Sequence, residues 1–134
     1  GAIILSKIVL VWITNPAACD NIVKAGKRIA DELCAELMIT SIQRTIRDDW
    51  DTTVSDLEAL NHASRIVNAE LTVIYSDNTL ESAVKTVSDV KPIAMVAGVP
   101  GDRNKNLFLE QLQNFDKDVP IYTIDARGNA LKLS

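Results

Sequence analysis

The sequence predicts an α/β fold, a three-layer sandwich in which a five-stranded parallel sheet lies between two layers of helices. Apolar, β-branched segments alternate along the chain with segments of helical periodicity. The connections between successive strands are too long for hairpins, so the strands run parallel and are joined by right-handed crossovers. A chain of 134 residues, 47% of them apolar, fits one domain, residues 1–134, with a sizeable core.

The first strand and the first helix are predicted from residues 7–33. The run Lys7–Thr14 is apolar and β-branched, as is typical of a strand covered on both faces. Asn15 favours a helix N-cap and Pro16 suits the first helical position, so we expect the helix to begin there. Gly26 on its inward face indicates a close approach to the sheet. That face is predicted to carry Ile22, Gly26, Ile29, Ala30 and Leu33.

The second and third strands are predicted at Glu36–Ile42 and Leu71–Ser76. Between them the polar, aperiodic stretch 43–53 predicts a loop, and the second helix is expected to begin near Asp51 or Thr52. The inward face of this helix is predicted to carry Val54, Leu57, Leu60, Ser64 and Val67.

The third helix has a clear start signal, because Glu81 follows Asn78 by three residues in the pattern of a capping box. Pro92 then ends any helical continuation. Two further strands and a short helix between them are predicted at Ile93–Gly98, 106–115 and Val119–Asp125.

The tail after the fifth strand carries a turn signal at Gly128-Asn129, followed by Leu131 and Leu133 at alternate positions. This pattern predicts an extra C-terminal edge strand that pairs either with the fifth strand, as an antiparallel neighbour, or with another subunit. We expect a homodimer formed through the edge of the fifth strand and this tail.

The charge balance excludes some classes of partner. With 14 basic and 18 acidic residues the chain has a net charge of -4, and it lacks the one-sided positive field typical of nucleic-acid or anionic-lipid binding. No apolar stretch approaches the roughly 20 residues of a membrane span. We therefore expect a cytoplasmic chain with no nucleic-acid partner and no direct membrane insertion.

The two cysteines, Cys19 and Cys34, lie near opposite ends of the predicted first helix. At about 1.5 Å of rise per residue their Cα atoms would be roughly 22 Å apart, too far for a disulfide bond. We expect both to be small buried or half-buried thiols.

The candidate ligand site lies where the strands of an open parallel sheet end, since ligands bind outside the carboxyl ends. Glycines follow the fourth strand in the stretch VAGVPGD, where their backbone amides could approach an anion. The alternative is a tight turn, with Pro100 presetting φ and Gly101 supplying a positive φ. Neither a Walker A loop nor a dinucleotide GxGxxG motif is present. The candidate ligand-binding residues are Thr14, Asn15, Gly98, Val99, Gly101 and Asn104.

Other residues with potential chemistry have simpler interpretations. His62, the only histidine, is predicted to be a solvated helix residue, since no Ser or Cys motif accompanies it. The carboxylates of the stretch RDDWD could hold a divalent metal, but a charged surface loop explains them better. Trp50 lies in this loop at the ligand edge and is interpreted as a packing residue. No catalytic residues and no metal site are predicted, so we expect a protein that is not an enzyme.

Two stretches resemble the universal stress protein family, and within it the universal-stress-type domain of the KdpD osmosensitive potassium-channel sensor kinases. They are residues 7–37, an opening strand with an arginine- and alanine-rich first helix, and residues 92–125, the closing half with GVPG after the fourth strand. Together they span about half the chain. The resemblance implies the strand order 3-2-1-4-5, a role in signal transduction and stress response, and the rest of a sensor kinase or a transporter as a partner.

The family's nucleotide-binding members carry Gly-x2-Gly-x9-Gly-Ser/Thr after the fourth strand and an Asp at the end of the first. Gly98 and Gly101 match the first two positions, whereas Gln111 and Leu112 stand where the last glycine and hydroxyl are expected, and Thr14 or Asn15 replaces the Asp. The resemblance thus implies a non-enzymatic sensory domain with a degenerate nucleotide site. The alternative is a stress protein that binds ATP, AMP or cyclic di-AMP, with at most slow ATPase activity.

Overall fold

The computed structural model describes residues 7–45, 50–99 and 103–133, without the side chains of 18 and 103–106. In this part of the chain strands alternate with helices up to the last strand pair. None of the described helices is long and apolar enough to cross a membrane. The strands are β1 (Ile8–Trp12), β2 (Glu36–Gln43), β3 (Glu70–Tyr75), β4 (Ala94–Gly98), β5 (Ile121–Ile124) and β6 (Ala130–Lys132), and the helices are α1 (Asp20–Glu32), α2 (Trp50–Ile66), α3 (Thr79–Val90) and α4 (Arg103–Phe115).

The strands form one sheet in the order β3-β2-β1-β4-β5-β6. The first five strands are parallel: Val11, for example, lies beside Ile39 of β2 and Val96 of β4. β6 runs antiparallel to β5, with Leu131 opposite Thr123. This topology confirms the predicted α/β sandwich with strand order 3-2-1-4-5 and an additional C-terminal edge strand.

The core consists of two apolar layers, one on each face of the sheet. β1 lies at the centre and supplies both layers, since Val9, Leu10 and Val11 are all 0% exposed and alternate between the two faces. α1 and α2 cover one face through residues that include Val23 and Leu60. α3 and α4 cover the other face. Because helices cover both faces of the sheet, the ends of the strands are where a ligand can reach it.

The first helix begins later than the sequence predicted. Asn15-Pro16 starts a 3-10 turn, Pro16–Ala18, and the Asn15 side chain makes no capping hydrogen bond. The α-helix itself begins at Asp20, and the Cys19 carbonyl accepts the hydrogen bond from the Val23 amide. Pro16 does occupy a first helical position, but α2 packs against this turn, and that tertiary contact separates it from α1.

Gly26 confirms the predicted close approach of α1 to the sheet. A Cβ atom at this position would lie 2.7 Å from Cγ2 of Val11 and 3.3 Å from Cδ1 of Leu37. Such distances are shorter than van der Waals contact, so only glycine allows α1 to lie this close to β1 and β2.

Two residues that helical spacing predicted to face inward are exposed in the structure. Leu33 is 39% exposed because it caps the end of α1, and Val54 is 36% exposed near the start of α2. On α2, Leu60 and Ala63 are buried, as is Val67 just after the helix. Leu60 and Val67 confirm the predicted inward face, whereas Ala63 is buried in place of Ser64, which is half-buried.

The cysteines are both free thiols. Cys19 is buried, as expected, and burial raises the pKa of its thiol. Cys34 is exposed, which corrects the expectation of a half-buried thiol. It follows the end of α1 with a φ of 54°, the left-handed conformation that commonly ends helices.

The tail pairs within the same chain, which decides between the two predicted alternatives. The Leu133 amide donates to the Ile121 carbonyl at 2.7 Å, and Gln113 Nε2 of α4 donates to the Leu133 carbonyl at 2.9 Å. β6 therefore covers the edge of β5 that was expected to face a partner subunit. The homodimer stays a prediction, and β3 and β6 are the outer strands of the described sheet.

Candidate functional site

A cleft of about 640 Å³ opens at the carboxyl ends of β1, β4 and β5. The chain leaves β1 toward β2 on one side and later returns to β4 on the other, so the cleft lies at the topological switch point of the sheet. This is where open parallel sheets bind ligands. The cleft is lined by Trp12, Thr14, Asn15, Asn21, Ile22, Ala97, Gly98, Val99, Phe108, Leu109, Ile124, Asp125 and Ala126.

An aromatic pair forms part of the cleft wall. The rings of Trp12 and Phe108 meet edge to face, with centroids 6.1 Å apart and an interplanar angle of 88°. The Trp12 indole N–H donates to the Met95 sulfur at 3.3 Å, which leaves the indole held in one orientation. Trp12 is only 3% exposed. This part of the cleft wall is therefore apolar and rigid, and most of the Trp12 ring is buried within it.

Gly98 lies at the end of β4, and its hydrogen faces α1. A Cβ atom here would lie 2.9 Å from Cδ1 of Ile22. Among the described glycines only Gly128 has a positive φ, so the backbone conformation at position 98 does not require a glycine. Packing of Ile22 accounts for a glycine at this position, whether or not a ligand lies nearby.

The end of β1 is held by hydrogen bonds to β2. The buried Ser41 hydroxyl donates to the Ile13 carbonyl at 2.9 Å, and the Ile13 amide donates to the Thr40 carbonyl at 2.9 Å. These bonds hold the backbone that leads into Thr14 and Asn15, both of which line the cleft. Side chains on a firmly held strand end are well suited to orienting a ligand.

Asp125 begins the turn between β5 and β6, and its carboxylate organises that turn. Oδ1 accepts hydrogen bonds from the amides of Arg127 and Asn129, both at 2.9 Å, and Oδ2 accepts one from Nδ2 of Asn129 at 3.3 Å. The bond from the Asn129 amide is the main reason why the pKa of Asp125 is lowered from its ordinary value. Asp125 therefore stays ionised at neutral pH.

The same turn is joined to α1 across the rim of the cleft. Asn21 Nδ2 donates to the Ala126 carbonyl at 3.2 Å, and Arg28 Nη2 donates to the Gly128 carbonyl at 2.9 Å. Asn21 and Ala126 both line the cleft. One wall of the cleft is thus built from two segments that are about a hundred residues apart in the chain.

The structure brings four of the predicted site residues into one cleft: Thr14, Asn15, Gly98 and Val99. Gly101 and the side chain of Asn104 lie outside the described residues. The cleft also contains residues that were not among the predicted site residues, namely Trp12, Asn21, Phe108 and Asp125. Asp125 had a usable signal, because it ends a predicted strand. The others lie inside elements, where the sequence shows only packing.

The remaining candidates do not converge on a second site. His62 is exposed on α2, as expected. Within the described ranges no group of three His, Cys, Asp or Glu side chains is placed to hold a metal ion, and most of the stretch RDDWD lies outside those ranges. Trp50 is the first residue of α2 rather than a loop residue and is 76% exposed, so it is not the packing residue that was expected.

Comparison with known proteins identifies the fold. No protein-family model and no curated protein sequence matches the chain. Among solved structures, the universal stress protein from Archaeoglobus fulgidus in complex with dAMP has a TM-score of 0.65 at 13% identity, covering 88% of this chain and 98% of that one. The chain has the universal stress protein fold. At this level of identity, the likeness shows the fold and nothing more.

Two further solved structures show the range of proteins that share this fold. A universal stress protein in complex with cAMP has a TM-score of 0.59 at 19% identity, covering 89% of this chain and 98% of that one. A deacetylase of the teicoplanin biosynthetic pathway has a TM-score of 0.60 at 9% identity, but this chain spans only 64% of it. The fold thus serves binding proteins and enzymes alike, so function has to be argued from the cleft.

Proposed function

We propose that this chain is a non-enzymatic regulatory domain of the universal stress type that binds an adenine nucleotide in the cleft. The observation that carries this proposal is the position of the cleft at the switch point of the sheet, with an aromatic wall on one side and polar side chains at the rim. An apolar cleft with a few convergent polar groups is the usual form of a small-molecule site.

The cleft has a suitable surface for each part of a nucleotide. Trp12 and Phe108 offer an apolar wall for the base, while Thr14, Asn15 and Asn21 offer hydroxyl and amide groups for the sugar and phosphate. Two of the structures that share this fold are complexes with dAMP and cAMP. These complexes support an adenine nucleotide as the first ligand class to test here.

We propose that a nucleotide with a single phosphate binds more tightly than ATP. Gln111 and Leu112 stand where the family motif has the glycine and hydroxyl that are expected to hold the outer phosphates. Burying additional phosphate charge without such donors is costly. AMP and cyclic nucleotides should therefore bind better than ATP.

The test uses Trp12 as a reporter inside the cleft. The chain has two tryptophans, and replacing the exposed Trp50 with Phe leaves Trp12 alone. AMP, cyclic AMP, cyclic di-AMP and ATP are titrated while Trp12 fluorescence is followed, and calorimetry gives the affinities. We expect a saturable change with AMP or cyclic AMP. No heat and no fluorescence change with any of these nucleotides at millimolar concentration would overturn nucleotide binding.

A blocking variant locates the binding event. Ala126→Phe places a large ring at the cleft rim, at an exposed position, and should abolish the Trp12 response. Ser88→Phe, at an exposed position on α3 outside the cleft lining, is the matched control and should bind like the parent protein. Sustained ATP hydrolysis that Ala126→Phe abolishes would contradict the non-enzymatic part of the proposal.

We further propose, from the sequence resemblance, that the output of the domain passes through a protein contact, either a homodimer or the rest of a KdpD-type sensor kinase. Light scattering at micromolar concentration, with and without AMP, tests the homodimer. A monomer under both conditions would remove the homodimer and leave the kinase as the partner to test by co-purification.

A further inference from the structure

Among the described residues that line the cleft, Asp125 is the only one with a charged side chain. It stands at the end of β5, whereas Thr14 and Asn15 stand at the end of β1, two strands away in the sheet. A cleft that holds one carboxylate at one end treats the two ends of an asymmetric ligand differently.

The Asp125 carboxylate is held in place by its own turn. Two backbone amides on Oδ1, both at 2.9 Å, fix its orientation before any ligand arrives. Among the described residues, the bond that reaches Oδ2 is the longer one, 3.3 Å, from the Asn129 side chain. Because an ionised carboxylate offers about four acceptor positions, Oδ2 keeps capacity for a further donor.

The chemistry of an ionised carboxylate determines which part of a ligand it can face. It accepts hydrogen bonds and donates none, so the facing group must carry O–H or N–H donors. A phosphate there would place like charges together. In a nucleotide, the sugar hydroxyls are the donors that can meet this requirement.

We propose that Asp125 is a specificity-determining residue of the cleft, where its Oδ2 accepts hydrogen bonds from the sugar hydroxyls of the bound nucleotide. The phosphate then lies on the side of the cleft away from β5. This inference rests on the proposed function, because it assumes that a nucleotide enters the cleft. It adds the orientation of the nucleotide and the choice between ribose and deoxygenated sugars.

The experiment compares ligands and variants together. Calorimetry measures the affinity of the wild-type protein and of Asp125→Asn for AMP and for 2′,3′-dideoxy-AMP, which lacks both hydroxyls. On the wild-type protein we expect the dideoxy analogue to bind about tenfold or more weakly, as is usual for the loss of a hydrogen bond to a charged acceptor. On Asp125→Asn we expect AMP to weaken and the difference between the two ligands to fall to about twofold or less.

A second variant distinguishes the role of the Asp125 carboxylate from that of the Asn129 side chain that contacts it. Asn129→Ala removes the side-chain bond to Oδ2 but leaves the backbone amides on Oδ1, so it should keep the preference for AMP over the dideoxy analogue. Circular dichroism checks that each variant is folded. If Asp125→Asn does not fold, equal binding of the two ligands by the wild-type protein would still overturn the role of Asp125.

The outcomes separate the two proposals. If the wild-type protein binds no adenine nucleotide, the proposed function fails and this inference fails with it. If the protein binds AMP and the dideoxy analogue equally well, or if Asp125→Asn weakens both ligands by the same factor, nucleotide binding stands and the role of Asp125 is overturned.

Discussion

At the scale of single residues, two glycines of this chain have different physical reasons for being glycine. At Gly26 the space for a Cβ atom is taken by Cγ2 of Val11, a branched side chain that is 0% exposed in the central strand. At Gly98 it is taken by the terminal Cδ1 of the half-buried Ile22. A stiff buried neighbour cannot move aside, whereas the end of a longer side chain can.

We therefore predict that Gly26→Ala destabilises the protein more than Gly98→Ala. Overpacking at Gly26 costs about 1–3 kcal/mol, partly offset by the higher helix propensity of alanine. Gly98→Ala should cost less than about 1 kcal/mol, and it should cost less still in an Ile22→Val background, which lacks the clashing Cδ1 atom. Urea unfolding compares the wild-type protein, the three single variants and the double variant of Gly98→Ala with Ile22→Val. Equal costs for the two glycine substitutions would contradict this account of the packing.

The double variant Gly98→Ala with Ile22→Val also tests whether Gly98 serves a ligand. Its added Cβ points toward α1, so we expect the variant to bind AMP as the parent does. A loss of affinity in the double variant that Ile22→Val alone does not show would mean that the ligand contacts Gly98 closely.

Asp77 gives a residue-scale prediction about pH. The Thr45 hydroxyl donates to its Oδ2 at 2.6 Å and the Thr45 amide to its Oδ1 at 3.2 Å, and these bonds lower the pKa of Asp77 from its ordinary value. A carboxylate with a lowered pKa in the folded state stabilises that state above its unfolded pKa, near 4, and the stabilisation is lost as the pH falls through the folded value.

We predict that Thr45→Val slightly reduces the free energy of unfolding at pH 7 and flattens the loss of stability as the pH falls below about 4. The effect is small, because Asp77 is exposed. The measurement is urea unfolding of both proteins across this range. If stability falls with pH to the same extent in both proteins, the bond from the Thr45 hydroxyl to Asp77 does not contribute to the loss of stability in acid.

At the scale of elements, the β5–β6 hairpin is the feature that depends most on contacts outside itself. β6 has three residues, all exposed, and a strand this short is not stable alone. Gln113 of α4 holds its end through the Leu133 carbonyl, and Asn21 and Arg28 of α1 hold its turn. Helices on both faces of the sheet thus fix one edge strand.

We predict that Arg28→Ala loosens the hairpin without unfolding the domain. The variant loses the bond to the Gly128 carbonyl, so the amides of Gly128 and Asn129 should exchange hydrogen about two to ten times faster. Lys24→Ala, an exposed substitution on the same helix, is the matched control. Unchanged exchange at the turn in Arg28→Ala would show that the tether carries no stability.

At the scale of the whole molecule, the central strands join the two apolar layers into one cooperative unit. β1 and β4 supply buried side chains to both faces, such as Val11 to one layer and Leu10 to the other. Neither layer can lose its packing without disturbing the strands that support the other. A single domain of this size is expected to unfold in one transition.

We predict that Leu60→Ala, in the layer under α2, lowers stability by about 2–5 kcal/mol. Trp12 belongs to the opposite layer, and in a Trp50→Phe background its fluorescence should nevertheless report the same midpoint as far-UV circular dichroism. Val54→Ala on the same helix, at a partly exposed position, should cost under about 1 kcal/mol. Separate midpoints for the two probes would show that the layers unfold independently.

The sequence predicted those features that depend on neighbours close in the chain. The alternation of strands and helices was visible segment by segment, and the capping pair is present as expected, with Asn78 Oδ1 accepting the Glu81 amide at 3.1 Å. Gly26 was placed against the sheet correctly. The start of α1, the exposed Val54 and the exposed Cys34 were not predicted, because packing between elements decides them.

The sequence by itself thus determined that this protein has a parallel sheet between two helical layers, because local hydrophobic periodicity reflects which side of each element is buried. Only the tertiary structure decided that Trp12, Asn21, Phe108 and Asp125 share one cleft and that the tail covers β5. Those facts depend on strand order, which brings together residues more than a hundred positions apart. No local pattern contains that information.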